Sequence, residues 1–292
     1  MHHARPSAAQ AGIDGIHYTV TGAGPQTIVL LHGFSDNLTT WDRVVPRLAV
    51  SHRVIAIDLP GFGRSTRPWH RPLLPGYVDV VRRVLSAEGV NHPVTLMGNS
   101  MGAVVSTLFA ARHPHRTDRV VLIDMPGLHS VPRVWRFAMS RPAELGLKAA
   151  LRFVPDRAAQ VGLGWAYSRI AAADPRKLDP AARLGFSTPY AAPASVTALL
   201  PIGRELLAEL RTARLGTRVG ELAAPALLVF GSRDVLTPAR VMRRIGRPGG
   251  AVVLPGCGHC PQIDQPDALL SQVVPFLHDR RESDTGEHAA TA

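Results

Sequence analysis

The chain has 292 residues, 46% of them hydrophobic, enough to bury a substantial core in one large α/β domain or two smaller ones. Its net charge of +11, from 33 Lys and Arg against 22 Asp and Glu, raises the question of an anionic partner. The arginines are scattered through the chain instead of forming a run, and Lys148 and Lys177 are the only lysines, which argues against nucleic-acid binding.

No apolar stretch approaches the roughly 20 residues of a bilayer span. Residues 1–10 hold no apolar signal segment, and two cysteines, Cys257 and Cys260, are too few to staple a secreted fold. The expectation is a cytoplasmic protein with no integral membrane segment, although peripheral membrane contact stays open.

Short β-branched runs alternate with helical patterns through the first 125 residues, which predicts a mainly parallel sheet with helices on both faces. Residues 16–20 read as a leading edge strand, 27–31 as a strand, 39–48 as a helix and 53–58 as a strand. A helix over 72–88, a very short strand over 94–97, a helix over 101–112 and a strand over 119–124 follow. Residues 126–219 are rich in Ala, Arg, Pro and Leu, with helical spacing and several aromatics but no convincing strand. They are expected to form a helical cap over a pocket, inserted into a core made of residues 1–125 and 220–280. Strands resume at 226–230 and 251–254, with helices at 238–245 and 264–279. The polar tail, 281–292, is expected to be disordered.

The strongest local signal is Gly98-Asn99-Ser100-Met101-Gly102, a G-x-S-x-G segment between a predicted strand and a predicted helix. A serine on so sharp a turn projects its hydroxyl out of the fold, and flanking glycines leave room for the strained backbone. The next helix aims its N-terminal amides at the same spot. A hydroxyl needs a base to take its proton. Among thirteen histidines, His259 follows a predicted strand in Gly256-Cys257-Gly258-His259 and precedes the last helix, at the sheet edge where ligands bind. Eleven others, His17 and His52 included, fall in tails, helix ends or polar turns where solvation explains them. A carboxylate must hold the imidazole in its working tautomer. Asp234, in Gly231-Ser232-Arg233-Asp234 just beyond a strand, is the favoured acid. Asp124, at the end of the strand after the serine helix, is the alternative, and Asp58 reads as the residue that fixes the 59–65 turn.

Several separated segments together resemble the α/β-hydrolase superfamily over about residues 15–280, the cap excepted. Leu30-Leu31-His32-Gly33-Phe34 looks like its oxyanion loop and Gly98 to Gly102 like its nucleophile elbow. The segments ending at Asp234 and His259 look like its acid and histidine loops, in the family's order Ser, Asp, His. The resemblance implies an α/β-hydrolase fold with an inserted helical cap. It also implies an oxyanion hole from the backbone N–H groups of Phe34 and Met101, an acyl-enzyme on Ser100, and no metal or organic cofactor.

Ser100 in place of an acidic nucleophile argues against halide displacement and epoxide opening and favours ester-type acyl transfer by a serine hydrolase, and the aromatics and aliphatics of the expected helical cap suggest a small to medium apolar substrate. The serine and histidine loops also look somewhat like those of carbon–carbon hydrolases of ring-cleavage products. His32-Gly33-Phe34-Ser35 lacks those enzymes' glycine-rich loop, however, and Cys260 stands where a tryptophan often follows their histidine. That chemistry is the runner-up, and a ligand-binding protein that has lost catalysis is a third reading. The C-x-x-C spacing of Cys257 and Cys260 allows a redox switch, with simple packing the plainer account.

Overall fold

The computed structural model describes residues 9–131, 133–178, 193–244 and 250–279. They build one eight-stranded sheet in the order β1-β2-β4-β3-β5-β6-β7-β8. β1 (Ala9–Ile13) pairs antiparallel with β2 (Ile16–Thr21), and β2 antiparallel with β4 (His52–Ile57). From β4 onward the sheet is parallel, through β3 (Gln26–Leu31), β5 (Val94–Asn99), β6 (Thr117–Ile123), β7 (Ala226–Gly231) and β8 (Ala251–Leu254).

The inner parallel strands, β3 to β7, are apolar through most of their length because both faces are covered, whereas the edge strand β8 is exposed at Ala251 and Val253. Ile28, Leu30, Val54, Ala56, Leu227 and Val229 pack into one layer. The intervening Val29, Leu31, Ile55, Ile57, Leu228 and Phe230 pack into the other, as the two-residue side-chain period requires. The first layer is closed by Trp41, α1 (Val45–Leu48) and, from the end of the chain, α10 (Pro266–His278), which is preceded by a short turn, α9 (Pro261–Asp264), that packs on the Leu38–Trp41 segment. The second is closed by α2 (Leu73–Ala87), whose Leu74, Tyr77, Val78, Val81 and Leu85 recur at helical spacing on its buried side, and by α3 (Met101–Arg112).

Between β6 and β7 the described residues form helices and turns. These are α4 (Arg133–Ala138), α5 (Arg141–Leu151), α6 (Asp156–Ala171), α7 (Pro193–Leu210) and α8 (Leu215–Gly220). α7 rests on α2, and the link is chemical as well as steric. The Glu209 carboxylate accepts from the amides of Leu73 and Leu74, at 2.5 and 2.9 Å. These are first-turn N–H groups of α2 that have no partner within their own helix.

Several expectations need correction. The sheet begins one strand earlier than expected, with β1 joined to β2 by a two-residue turn, Asp14-Gly15, in which both residues have positive φ (51° and 75°). The helix expected over 39–48 is a 3₁₀ turn, Leu38–Trp41, followed by the single turn α1. Pro46 has no N–H to continue a helical ladder there. Residues 239–244 form a 3₁₀ stretch, Ala239–Arg244, in place of an α-helix. The helix expected over 264–279 is present as α10, opened by Pro266, and a separate single turn, α9, precedes it. His17 and His52 are not solvated turn residues. His17 Nδ1 meets Asp58 Oδ2 at 2.7 Å, and His52 is buried beside the His278 ring. The tail expected over 281–292 lies outside the described residues.

Candidate active site

The strand order reverses direction between β3 and β5: the connection after β3 leads to β4 on one side, and β5 lies on the other. Loops leaving the C-terminal ends of these two strands therefore border a crevice, the usual ligand position in an open parallel sheet. Leu31 of β3 is level with Gly98 of β5, Asn99 with Ile123 of β6, and Gly231 of β7 with Leu254 of β8. Ser100, Asp124, Asp234 and His259 consequently all leave the sheet at one edge.

Ser100 links β5 to α3 with φ 52° and ψ −116°, a region costly for any residue with a side chain. Its N–H donates to Ile123 O at 2.8 Å, and its own carbonyl accepts from Ala103 N and Val104 N. The turn is tight enough that both flanking glycines are sterically required. A Cβ on Gly98 would lie 2.3 Å from the Gly102 backbone, and one on Gly102 would lie 2.1 Å from Leu31 O. Met101 opens α3, so its N–H is one of the first-turn amides that a helix leaves free.

The loop after β3 lies against this turn, since a Cβ on Gly33 would sit 3.3 Å from Ser100 Cβ. His32 is fully buried; its Nε2 accepts from Leu59 N–H at 3.0 Å and its Nδ1 donates to Gly33 O at 2.7 Å. Burial holds its pKa down despite the Asp58 charge, which keeps the ring neutral and able to play both roles. Holding the Gly33 carbonyl toward His32 turns the N–H of the same planar peptide, that of Phe34, the opposite way.

His259 Nδ1 and Asp234 Oδ2 are 2.8 Å apart, both buried. Asp234 is a well-supplied acceptor: Oδ1 takes the Leu236 N–H at 2.7 Å and Oδ2 also takes the Thr237 hydroxyl. Burial works to raise its pKa, but His259 and these donors overcome that and hold the carboxyl well below the usual range. Asp124 is in the opposite condition. It is fully buried, its Oδ1 accepts from Gly231 N–H at 2.9 Å, and burial followed by the nearby Asp234 charge pushes its pKa well up. The two neighbouring carboxyl groups are thus shifted in opposite directions. Acceptor atoms of Asp124, Asp234 and His259 lie within 4.8 Å of one another. A cation placed there would have to break the His259–Asp234 hydrogen bond, so the donor set suits a proton better than a metal.

The histidine loop is pinned from behind. Asn99 Nδ2 donates to His259 O at 2.9 Å, and Asp264 Oδ2 accepts from Gly258 N at 2.7 Å and from Ala173 N of the helical segment at 3.0 Å. Cys257 and Cys260 are free and buried, and burial pushes both thiols up, the state of packing residues and not of reactive thiolates. Asp58 Oδ1 accepts from Leu38 N and Oδ2 from Arg64 N, so it braces the loop after β3 as well as its own turn.

Ser100, His259 and Phe34 open into one cavity of about 340 Å³. Its far wall comes from the helices between β6 and β7, through side chains such as Trp135, Met139, Leu163 and Leu207. None of the described lining residues is Asp, Glu, Lys or Arg. A second depression of about 270 Å³ over the start of α2 contains none of the site residues.

A sequence-family profile described as alpha/beta hydrolase fold matches residues 26–266. The chain belongs to the α/β-hydrolase family of enzymes. A pimeloyl-[acyl-carrier protein] methyl ester esterase of Edwardsiella ictaluri is 28% identical over 271 residues, 92% of this chain and 99% of that one. Among solved α/β-hydrolase structures, Cfl2 from Burkholderia cenocepacia superposes with TM-score 0.76 at 25% identity, covering 92% of this chain and 95% of its own. An enol-lactonase from Burkholderia xenovorans LB400 gives 0.72 at 21%, covering 92% and 99%.

Sequence reasoning passed over Asn99, Thr237, Asp264 and the structural role of His32. Asn99 is the variable position of G-x-S-x-G, and the partner it holds lies 160 residues away in the chain; no local pattern carries that information.

Proposed function

We propose that this α/β-hydrolase is a serine esterase for small to medium apolar acyl substrates, working through an acyl-enzyme on Ser100. The observation that carries the reading is the His259–Asp234 hydrogen bond at 2.8 Å, with His259 and the strained Ser100 opening into the same apolar cavity. Ser100 Oγ attacks the ester carbonyl while His259 Nε2 takes its proton, and Asp234 stabilises the imidazolium. The tetrahedral oxyanion is met by the Phe34 and Met101 N–H groups, fixed beforehand by His32 and by the start of α3. His259 then returns the proton to the departing alcohol. Water enters, gives a proton to the same nitrogen as it attacks the acyl carbonyl, and His259 passes that proton to Ser100 Oγ as the carboxylic acid leaves.

The esterase named among the relatives performs the same class of reaction. Carbon–carbon cleavage of an acidic ring-cleavage product is a poorer fit, because no Arg or Lys among the described lining residues could receive its carboxylate. The testing experiment is hydrolysis of p-nitrophenyl esters from acetate to palmitate by wild type and Ser100→Ala. We expect kcat to fall by roughly a thousandfold or more in the variant, with an optimum at an intermediate chain length. Equal rates in the two proteins would overturn the assignment, and a lack of any ester turnover would return the choice to carbon–carbon cleavage or ligand binding.

A further inference from the structure

The helices between β6 and β7 are apolar on two sides. One side lines the cavity through Trp135, Leu147, Leu163 and Ile170. Outside the cavity lining, Val134 and Phe137 on α4, Leu145 on α5, Phe153 in the turn before α6, and Val161 and Trp165 one turn apart on α6 are all exposed. Phe137 is 68% exposed and Phe153 85%. Of the nine exposed large hydrophobic side chains among the described residues, these are six. A lid covering a pocket in water needs only its inner side apolar, and a concentration of this kind on the outer side marks an interaction surface.

The charges interspersed with them are mostly positive. Arg133, Arg136, Arg141, Arg152, Arg157 and Arg169 are exposed on the same helices and turns. Of the two acidic residues in that stretch, Glu144 is already held by Lys148 and Arg204, and Asp156 is the other. A second copy of this chain, itself carrying +11, would bring like charges together, so self-association is disfavoured. Aromatic and aliphatic side chains standing out from three helices and a turn, with arginines between them, match an anionic bilayer surface. The apolar groups enter the boundary of headgroups and acyl chains while the guanidinium groups meet lipid phosphates.

We propose that this face docks the protein on anionic membranes, setting the cavity one helix diameter, about 10 Å, from the lipid that supplies its substrate. The choice of substrate source rests on the esterase reading; the docking itself does not.

The test is flotation of the full chain with vesicles of phosphatidylcholine, alone or with one third phosphatidylglycerol. It uses Ser100→Ala and the same protein carrying Phe137→Ser and Phe153→Ser, neither of which lines the cavity. Expected is roughly tenfold more protein on the anionic vesicles, reduced by raising salt from about 0.05 M to about 0.5 M and lost in the double substitution. With Ser100 restored, the double variant should keep wild-type turnover of a short soluble ester, which establishes that it is folded. Failure to float with anionic vesicles, or equal flotation of the double variant, would overturn the proposal. So would binding to an acidic carrier protein that the double substitution abolishes while vesicles bind neither form. Because Ser100→Ala cannot turn over substrate under the esterase reading, vesicle binding and catalysis fail independently.

Discussion

Asp234 and Asp124 end neighbouring strands and crowd one buried corner, yet the 2.8 Å contact to His259 Nδ1 belongs to Asp234, while Asp124 gives its Oδ1 to the Gly231 amide. Their surroundings push the two carboxyl groups' pKa values apart. Burial and its neighbour's charge push the Asp124 carboxyl well up, while His259 and the donors around Asp234 hold that carboxyl down against its burial.

Asp234→Asn and Asp124→Asn should separate in kinetics. Losing the carboxylate at 234 presents an amide to His259 and should lower kcat by roughly 10³- to 10⁴-fold. Asn at 124 replaces a carboxyl group whose pKa is pushed well up and should keep kcat within about tenfold. Steady-state assays on one ester check both, and the reverse ranking would make Asp124 the working acid.

Asp36 offers a pH-dependent stability test. Its carboxyl is buried under the loop after β3, with Oδ1 accepting from Asn37 N–H at 2.8 Å. Burial outweighs the hydrogen bonds from Asn37, Thr40 and Tyr167 and raises its pKa from 3.8 to about 7. A carboxyl raised on folding contributes fully below its unfolded pKa, and that contribution is lost as pH rises through the folded value. Asp36→Asn should therefore gain on wild type as pH rises from about 4 to about 7, and level off above. Paired melting curves at pH 5 and pH 8 measure it; the same Tm difference at both would show that Asp36 does not titrate in that window.

Glu209→Ala removes the acceptor for the Leu73 and Leu74 amides, which have no helical partner. Loss of a cap of this kind costs about 1–2 kcal/mol, read as a lower denaturation midpoint. Glu209→Gln, which keeps an oxygen in place, should recover part of the loss, and no change in Glu209→Ala would mean that water serves those amides equally well.

Much of the core was legible because parallel strands are short apolar runs and the helices between them repeat every three to four residues. β1 was passed over for its Ala-Gln-Ala-Gly composition, although Asp14-Gly15 announces a hairpin with another strand before it. Ser100, His259 and Asp234 stood out because each follows a strand and carries its own loop signature. Residues that hold those loops, Asn99 and Asp264 among them, act across long chain separations. The two-sided apolar character of α4 to α6 was hidden for a different reason: Phe137 and Trp135 look alike in sequence, and only the packing tells which one faces the cavity.

Under the proposed chemistry, the backbone of position 100 sets folding against catalysis. At φ 52° and ψ −116° glycine would be at ease, and any side chain there costs about 1–3 kcal/mol. A population selected for stability alone would drift to Ser100→Gly and gain a sturdier, inert protein. Under the proposed chemistry, what opposes that drift is the benefit of the product to the organism, so position 100 is where relaxed selection would first leave its mark.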